Sequence, residues 1–157
     1  MGHRALYAVP TVDGRYDCYR TRWDGLAVFE HPDRVPDPRD SHTPVAEGVD
    51  ATGVLALLEP TDEALFVHGE RAAYLVCRLD IPTGRVRTDS TAVPTALVAV
   101  TDGATADRLD AELQAVKAVL GDAVDAGLFT RAVAEGYLRI FLARHPDVQE
   151  VIWLSLQ

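Results

Sequence analysis

Lysine is almost missing from this chain of 157 residues, and asparagine is missing altogether. Lys117 stands alone beside fourteen arginines. Cysteine is confined to Cys18 and Cys77, too few for a disulfide framework. No apolar run approaches about eighteen residues, which excludes a membrane-spanning helix. The start, Met1-Gly2-His3-Arg4, has no apolar signal core, so no export is expected. Myristoylation needs Ser or Thr at residue 6, where Leu6 stands, so no lipid anchor is expected either. These absences together predict a reduced, cytoplasmic protein.

Acid is what the chain has in excess. Sixteen Asp and eight Glu give a formal net charge of −9. Asp-rich, Lys-poor composition suits multimolar salt, where carboxylates hold water and the Debye length falls to about 3 Å. Codon bias in a GC-rich genome would produce similar counts, and the halophilic reading is the one preferred. An electronegative surface is unsuited to nucleic acid. The imbalance is uneven. Residues 1–42 carry six Arg against seven acids, whereas residues 43–99 and 100–157 are each net −4. An anionic ligand would meet least repulsion in the N-terminal third.

Residues 4–10 alternate around Leu6 and Ala8, and Asp13-Gly14 is a hairpin signal because both turn positions tolerate positive φ. Residues 15–23 read as the return strand, closed by Asp24-Gly25. They place Tyr16, Cys18, Arg20 and Arg22 on one face and Asp17, Tyr19, Thr21 and Trp23 on the other. Residues 31–44 hold four Pro and no apolar period, which predicts a functional or mobile loop. Asp50 is placed to cap a short helix over 51–59. Residues 64–68, 71–81 and 95–101 read as strands, with 84–88 extending the sheet. Leu109, Leu113, Val116 and Leu120 form one helical stripe, with Thr105 as the expected N-cap and Gly121 as the stop. A second helix over 128–144 has an apolar face of Phe129, Val133, Tyr137 and Phe141, widened by Leu138 and Ile140. Residues 148–156 form a last strand. Grouped rather than alternating elements predict one α+β domain spanning 1–157. Its mainly antiparallel sheet is opened by the N-terminal hairpin, two C-terminal helices pack on one face, and a final strand ends it.

The opening MGHRALYAV, the Asp-Gly turn and the following YDCYRTRWDG resemble a haloarchaeal family of unknown function. Its members start MGHRALVAY, turn at a DG hairpin and end the next strand on Tyr-x-x-Trp-Gly. Here Tyr19 to Gly25 occupy that stretch with slightly different spacing. Glu63-Ala64-Leu65-Phe66-Val67 is similar to the family's Glu-Ala-Phe-x-Val strand, and Val124-Asp125-Ala126-Gly127 to its Val-Asp-x-Gly. The resemblance implies a small acidic cytoplasmic protein and assigns no catalytic residue.

Three constellations carry possible chemistry. A free Gly2-His3 terminus chelates Cu²⁺ or Ni²⁺, although two residues make a poor site and His3 reads more simply as the start of a strand. Arg20 and Arg22 share a strand face near Arg4 and Arg15. Guanidinium forks suit phosphate or carboxylate, and Tyr16, Tyr19 and Trp23 offer stacking rings. The plainer reading pairs these arginines with Asp13, Asp17 and Asp24. His31, Asp33, Asp37, Asp40 and His42 put metal-ligand types in one loop. No fixed spacing supports a site, so His31, Asp33 and His42 are weak candidates and no metal is expected. His68, His145, Cys18 and Cys77 read as structural. Ser41, Ser90 and Ser155 lie in no G-x-S-x-G setting. No Walker loop or dinucleotide fingerprint is present. Hydrolases with an N-terminal nucleophile share the order of elements, but Gly2 cannot serve as their nucleophile.

The expectation is therefore a non-catalytic module that binds an unidentified protein or assembles with itself, without a cofactor. The alternative is a binding protein or enzyme for a small anion, using His3, Arg4, Tyr19, Arg20, Arg22 and Trp23. A closed pocket beneath the hairpin would favour the second reading, and a flat apolar face the first.

Overall fold

The Asp13-Gly14 corner reverses the chain as the sequence predicts. Gly14 sits at φ 77°, and its N–H donates to Thr11 O at 3.2 Å while Thr11 N–H donates to Arg15 O at 2.8 Å. The turn joins strand β1 (His3–Pro10) to β2 (Tyr16–Trp23) in an antiparallel ladder, with His3 opposite Trp23 and Pro10 opposite Tyr16. The computed structural model describes residues 3–23, 27–84 and 93–154, with only the backbone at His3, Trp23 and Ala27. The Asp24-Gly25 corner and most of the 84–88 segment lie outside the described residues.

After β2 come a short helix α1 (Ala27–Glu30), β3 (Ala46–Val49) and helix α2 (Ala51–Ala56). Strands β4 (Asp62–Val67), β5 (Ala72–Arg78) and β6 (Thr95–Ala99) follow. Helices α3 (Gly103–Asp125) and α4 (Arg131–Arg144) and strand β7 (Glu150–Leu154) complete the order. The fold is α+β. Among the described residues the sheet has seven strands in the order β3-β2-β1-β4-β5-β6-β7, antiparallel except where β1 pairs with β4. Strand β3 was not expected from the sequence; four residues containing a glycine carry too short an alternation to register.

Alternation around Leu6 and Ala8 is half of what β1 shows. Ala5, Tyr7 and Val9 are buried as well. A central strand has both faces covered, so its period of two is erased. The odd-numbered face joins Tyr19, Phe66, Leu75, Cys77 and Val98 to Leu109, Leu113, Leu138 and Leu142 of the two long helices. The even-numbered face joins Cys18, Leu65 and Leu97 to Val54 of α2. Both cysteines are buried and free, and burial pushes the Cys77 thiol up to about 12, with nearby Asp110 adding to the rise.

The β1–β4 register slips by one residue. Arg4 lies opposite Asp62 and Ala5 opposite Ala64, leaving Glu63 as the extra residue. The slip brings Asp62 to the side of the sheet that carries Arg4 and Arg20.

The helices correct three expectations. Asp102, not Thr105, caps α3, accepting Thr105 N–H at 2.7 Å. Gly121 does not stop α3, which runs on to Asp125. Glycine is there for contact: a Cβ at Gly121 would stand 1.9 Å from Pro82 O. Of the apolar face expected for α4, Leu138 is buried and Phe141 packs against the helix-side core, joined by Ala134 and Leu142, whereas Phe129 in the preceding connection and Val133, Tyr137 and Ile140 of α4 face outward. Helix α4 is apolar on two sides, so its fourfold repeat did not identify the packed one. Thr130 caps it, accepting Val133 N–H at 3.2 Å.

The one lysine is structural. Lys117 is buried on α3, and its ammonium donates to Asp80 Oδ1 at 2.5 Å and Arg78 O at 3.1 Å. At the end of α4, His145 Nε2 lies 2.6 Å from Glu112 Oε2, and its ring meets Phe141 edge-on. Among the described residues no helix is long and apolar enough to cross a membrane.

Candidate ligand-binding site

Proline decides the shape of residues 31–44. Pro32 and Pro38 open two 3-10 turns, Pro32–Arg34 and Pro38–Asp40, so the segment is more structured than the sequence suggests. Asp37 caps the second turn, accepting Arg39 N–H at 2.9 Å. The same carboxylate takes the Arg39 guanidinium, Nε at 3.0 Å and Nη2 at 2.6 Å. These bonds from Arg39 hold the Asp37 carboxyl below the usual carboxylate range. Buried Pro38 and half-buried Val35 anchor the segment over the helix-side face of β1 and β2.

Beneath this roof lies a cavity of about 410 Å³. Tyr7 and Thr21 reach it from β1 and β2, Val28 from α1, and Val35, Pro36 and Pro38 from the roof. Its polar groups are Arg22, His31, Arg34, Asp37, Ser41 and His42. Burial raises the Tyr7 hydroxyl above its ordinary pKa, opposed by a hydrogen bond with Thr21. Ser41 Oγ and His42 Nδ1 share a hydrogen bond of 2.8 Å. Both side chains are exposed on the loop. Among the described residues no third group orients the imidazole, as a nucleophile–base pair requires.

A second cavity of about 260 Å³ adjoins the first, sharing Val35 and Asp37. Asp33, Arg39, Phe66, His68 and Arg71 are among its lining. The His68 ring packs edge-on against Phe66 with centroids 4.7 Å apart and lies 5.6 Å from the Tyr7 ring. Its Nε2 is buried without a hydrogen-bond partner. Burial lowers the His68 pKa; Asp37 opposes that shift and Arg39 assists it, so the ring is neutral near pH 7.

The structure sorts the predicted residues sharply. Arg22, His31 and His42 border the first cavity, and Asp33 borders the second. His31, Asp33 and His42 therefore do not converge, and no group of three or more metal-ligand side chains gathers among the described residues. Arg20 is committed elsewhere: its guanidinium binds Asp62, donates to Leu57 O and sits 3.5 Å from Glu59. Arg4 donates to Thr61 Oγ1 at 3.0 Å, away from the cavity. Tyr19 is buried in the helix-side core. The side chains of His3 and Trp23 lie outside the described part.

Sequence reasoning missed Tyr7, Thr21, Arg34 and His68. Tyr7 and Thr21 lie on the strand faces opposite Leu6 and Arg20, a position alternation could have flagged. Nothing local connects His68 to residues 31–44; the parallel β1–β4 pairing brings it there. Comparison with family models, curated proteins and solved structures finds no match to the chain.

Proposed function

We propose that the chain binds a small ligand with an apolar body and an anionic group, held between the helix-side face of β1–β2 and the roof of residues 31–44. The observation that carries this reading is the 410 Å³ cavity beneath the hairpin. Its volume falls in the range of small-molecule sites, and its lining is mainly apolar with a few convergent polar groups. Arg34 brings a guanidinium fork to the lining, Arg22 borders it at the end of β2, and His31 and His42 add donors. Among the described residues the lining holds one carboxylate, Asp37, which Arg39 already neutralises. In a chain of net charge −9 this is a local surplus of positive charge. The reading keeps Arg22 from the hairpin set and releases Arg20, whose charge Asp62 satisfies.

The test uses phenyl phosphate and phenylacetate as probes, with neutral benzyl alcohol as control, monitored by NMR of the histidine ring protons. Millimolar binding of the two anions that perturbs His31 and His42 is the expected result. The Arg34→Gln variant should weaken it at least about tenfold, the loss of one charge-assisted contact. Absence of binding by both anions, or equal binding of benzyl alcohol, overturns the proposal.

A further inference from the structure

The outward side of α4 carries a second message, independent of the cavity. Phe129, Val133, Tyr137 and Ile140 are 46%, 55%, 56% and 56% exposed and lie along one line. Leu128 in the same connection is exposed too. Together these five side chains present on the order of 600 Å² of surface, approaching the roughly 800 Å² per partner of a standard interface. Between this line and Leu120 of α3 runs a groove of about 340 Å³. Gly136 sits inside the line, and a Cβ built on it would meet nothing within 4 Å. The surface is therefore a ridge of large side chains interrupted by one dent.

We propose that this face is closed by a second copy of the same chain, with the two α4 helices antiparallel about a two-fold axis beside Gly136 and Tyr137. Three features select this occupant. The first is shape: in that register Tyr137 of each copy meets the Gly136 dent of the other, and Val133 meets Ile140. A two-fold contact demands such self-complementarity. The second is charge. Exposed Arg144 ends α4, and exposed Asp122 and Asp125 end α3 next to the N-terminal end of α4. An antiparallel pair places the basic end of each copy beside the acidic end of the other. The third is area: α4 already spends Ala134, Leu138 and Leu142 on its own core. Among the described residues nothing covers this second apolar side.

The experiment joins oligomeric state to a position-specific cross-link. Sedimentation of the full chain at micromolar concentration should give a dimer. Tyr137→Asp should give a monomer with an unchanged circular dichroism spectrum. Gly136→Cys, next to the axis, should form a disulfide-linked dimer under mild oxidation, while Ala104→Cys, exposed at the far end of α3, should not. Native Cys18 and Cys77 are buried and do not interfere. A monomeric wild type, or cross-linking at Ala104→Cys as fast as at Gly136→Cys, overturns the proposal. So does a dimer that survives Tyr137→Asp.

Discussion

The Arg20 guanidinium grips the Asp62 carboxylate fork to fork, Nε on Oδ1 and Nη2 on Oδ2, each at 3.0 Å. The residues are 42 positions apart, and the Asp62 side chain is fully buried. Asp62 also accepts Glu59 N–H at 2.8 Å, and Arg20 Nη2 donates to Leu57 O. One ion pair thus ties β2 to the turn that leads into β4. Its bonds to Asp62 hold the Arg20 pKa above the already high guanidinium value.

Removing either partner should therefore be costly. Asp62→Ala and Arg20→Met are each expected to lose about 3 kcal/mol of stability, because each strands a desolvated charge. The double variant should lose less than the sum by more than about 1 kcal/mol. Urea unfolding of the four proteins measures this, and strictly additive losses would contradict it.

Gly121 offers a test in the opposite sense to helix propensity. Glycine to alanine inside an exposed helix gains up to about 1 kcal/mol. At Gly121 the added methyl strikes Pro82 O, a backbone atom that cannot swing aside. Gly121→Ala should instead lose about 2 kcal/mol, the range of an overpacked core. Thermal unfolding gives the sign directly, and a stabilised variant refutes the contact.

His68 links the second cavity to pH. Its folded-state pKa is depressed by burial, so below about pH 6.5 the unfolded chain binds a proton that the folded chain resists. The sign follows from linkage: the contribution is complete above that pH and drains away as pH falls toward the depressed folded value. Asp37 and Arg39 are the charged groups acting on the ring, and they act in opposite senses. Wild type should therefore lose more stability than His68→Phe between about pH 6.5 and 5. Parallel urea midpoints for the two proteins over that interval would sink the assignment.

The net charge of −9 predicts a salt response. Self-repulsion screened over about 10 Å at 0.1 M is confined to about 3 Å at 1 M. If the Asp-rich, Lys-poor composition is an adaptation to salt, the unfolding midpoint should rise with KCl across that range. A midpoint that falls or stays level would return the arginine-for-lysine bias to codon usage.

Local signals made part of this fold legible. Asp13-Gly14 specified the hairpin, Asp50 the start of α2, and Leu109, Leu113 and Leu120 the buried side of α3. What stayed hidden depends on partners distant in sequence. Arg20 read as available because Asp62 reaches it only through the slipped β1–β4 register. The repeat of Phe129, Val133 and Tyr137 marked an apolar side of the α4 region, but Leu138 and Leu142 won the core. In the site, residues 31–44 already pointed to function through length and histidines. Tyr7 and His68 joined only once β1 and β4 lay side by side.

The place of β1 also orders assembly in time. The earliest of the described strands is central in the sheet, flanked by β2 on one side and by β4, begun more than fifty residues later, on the other. During synthesis the hairpin can close early, but one edge of β1 keeps open hydrogen-bonding groups until Asp62–Val67 arrives. The nascent hairpin is thus a half-finished edge through a long stretch of translation, the interval in which another strand could take the position reserved for β4.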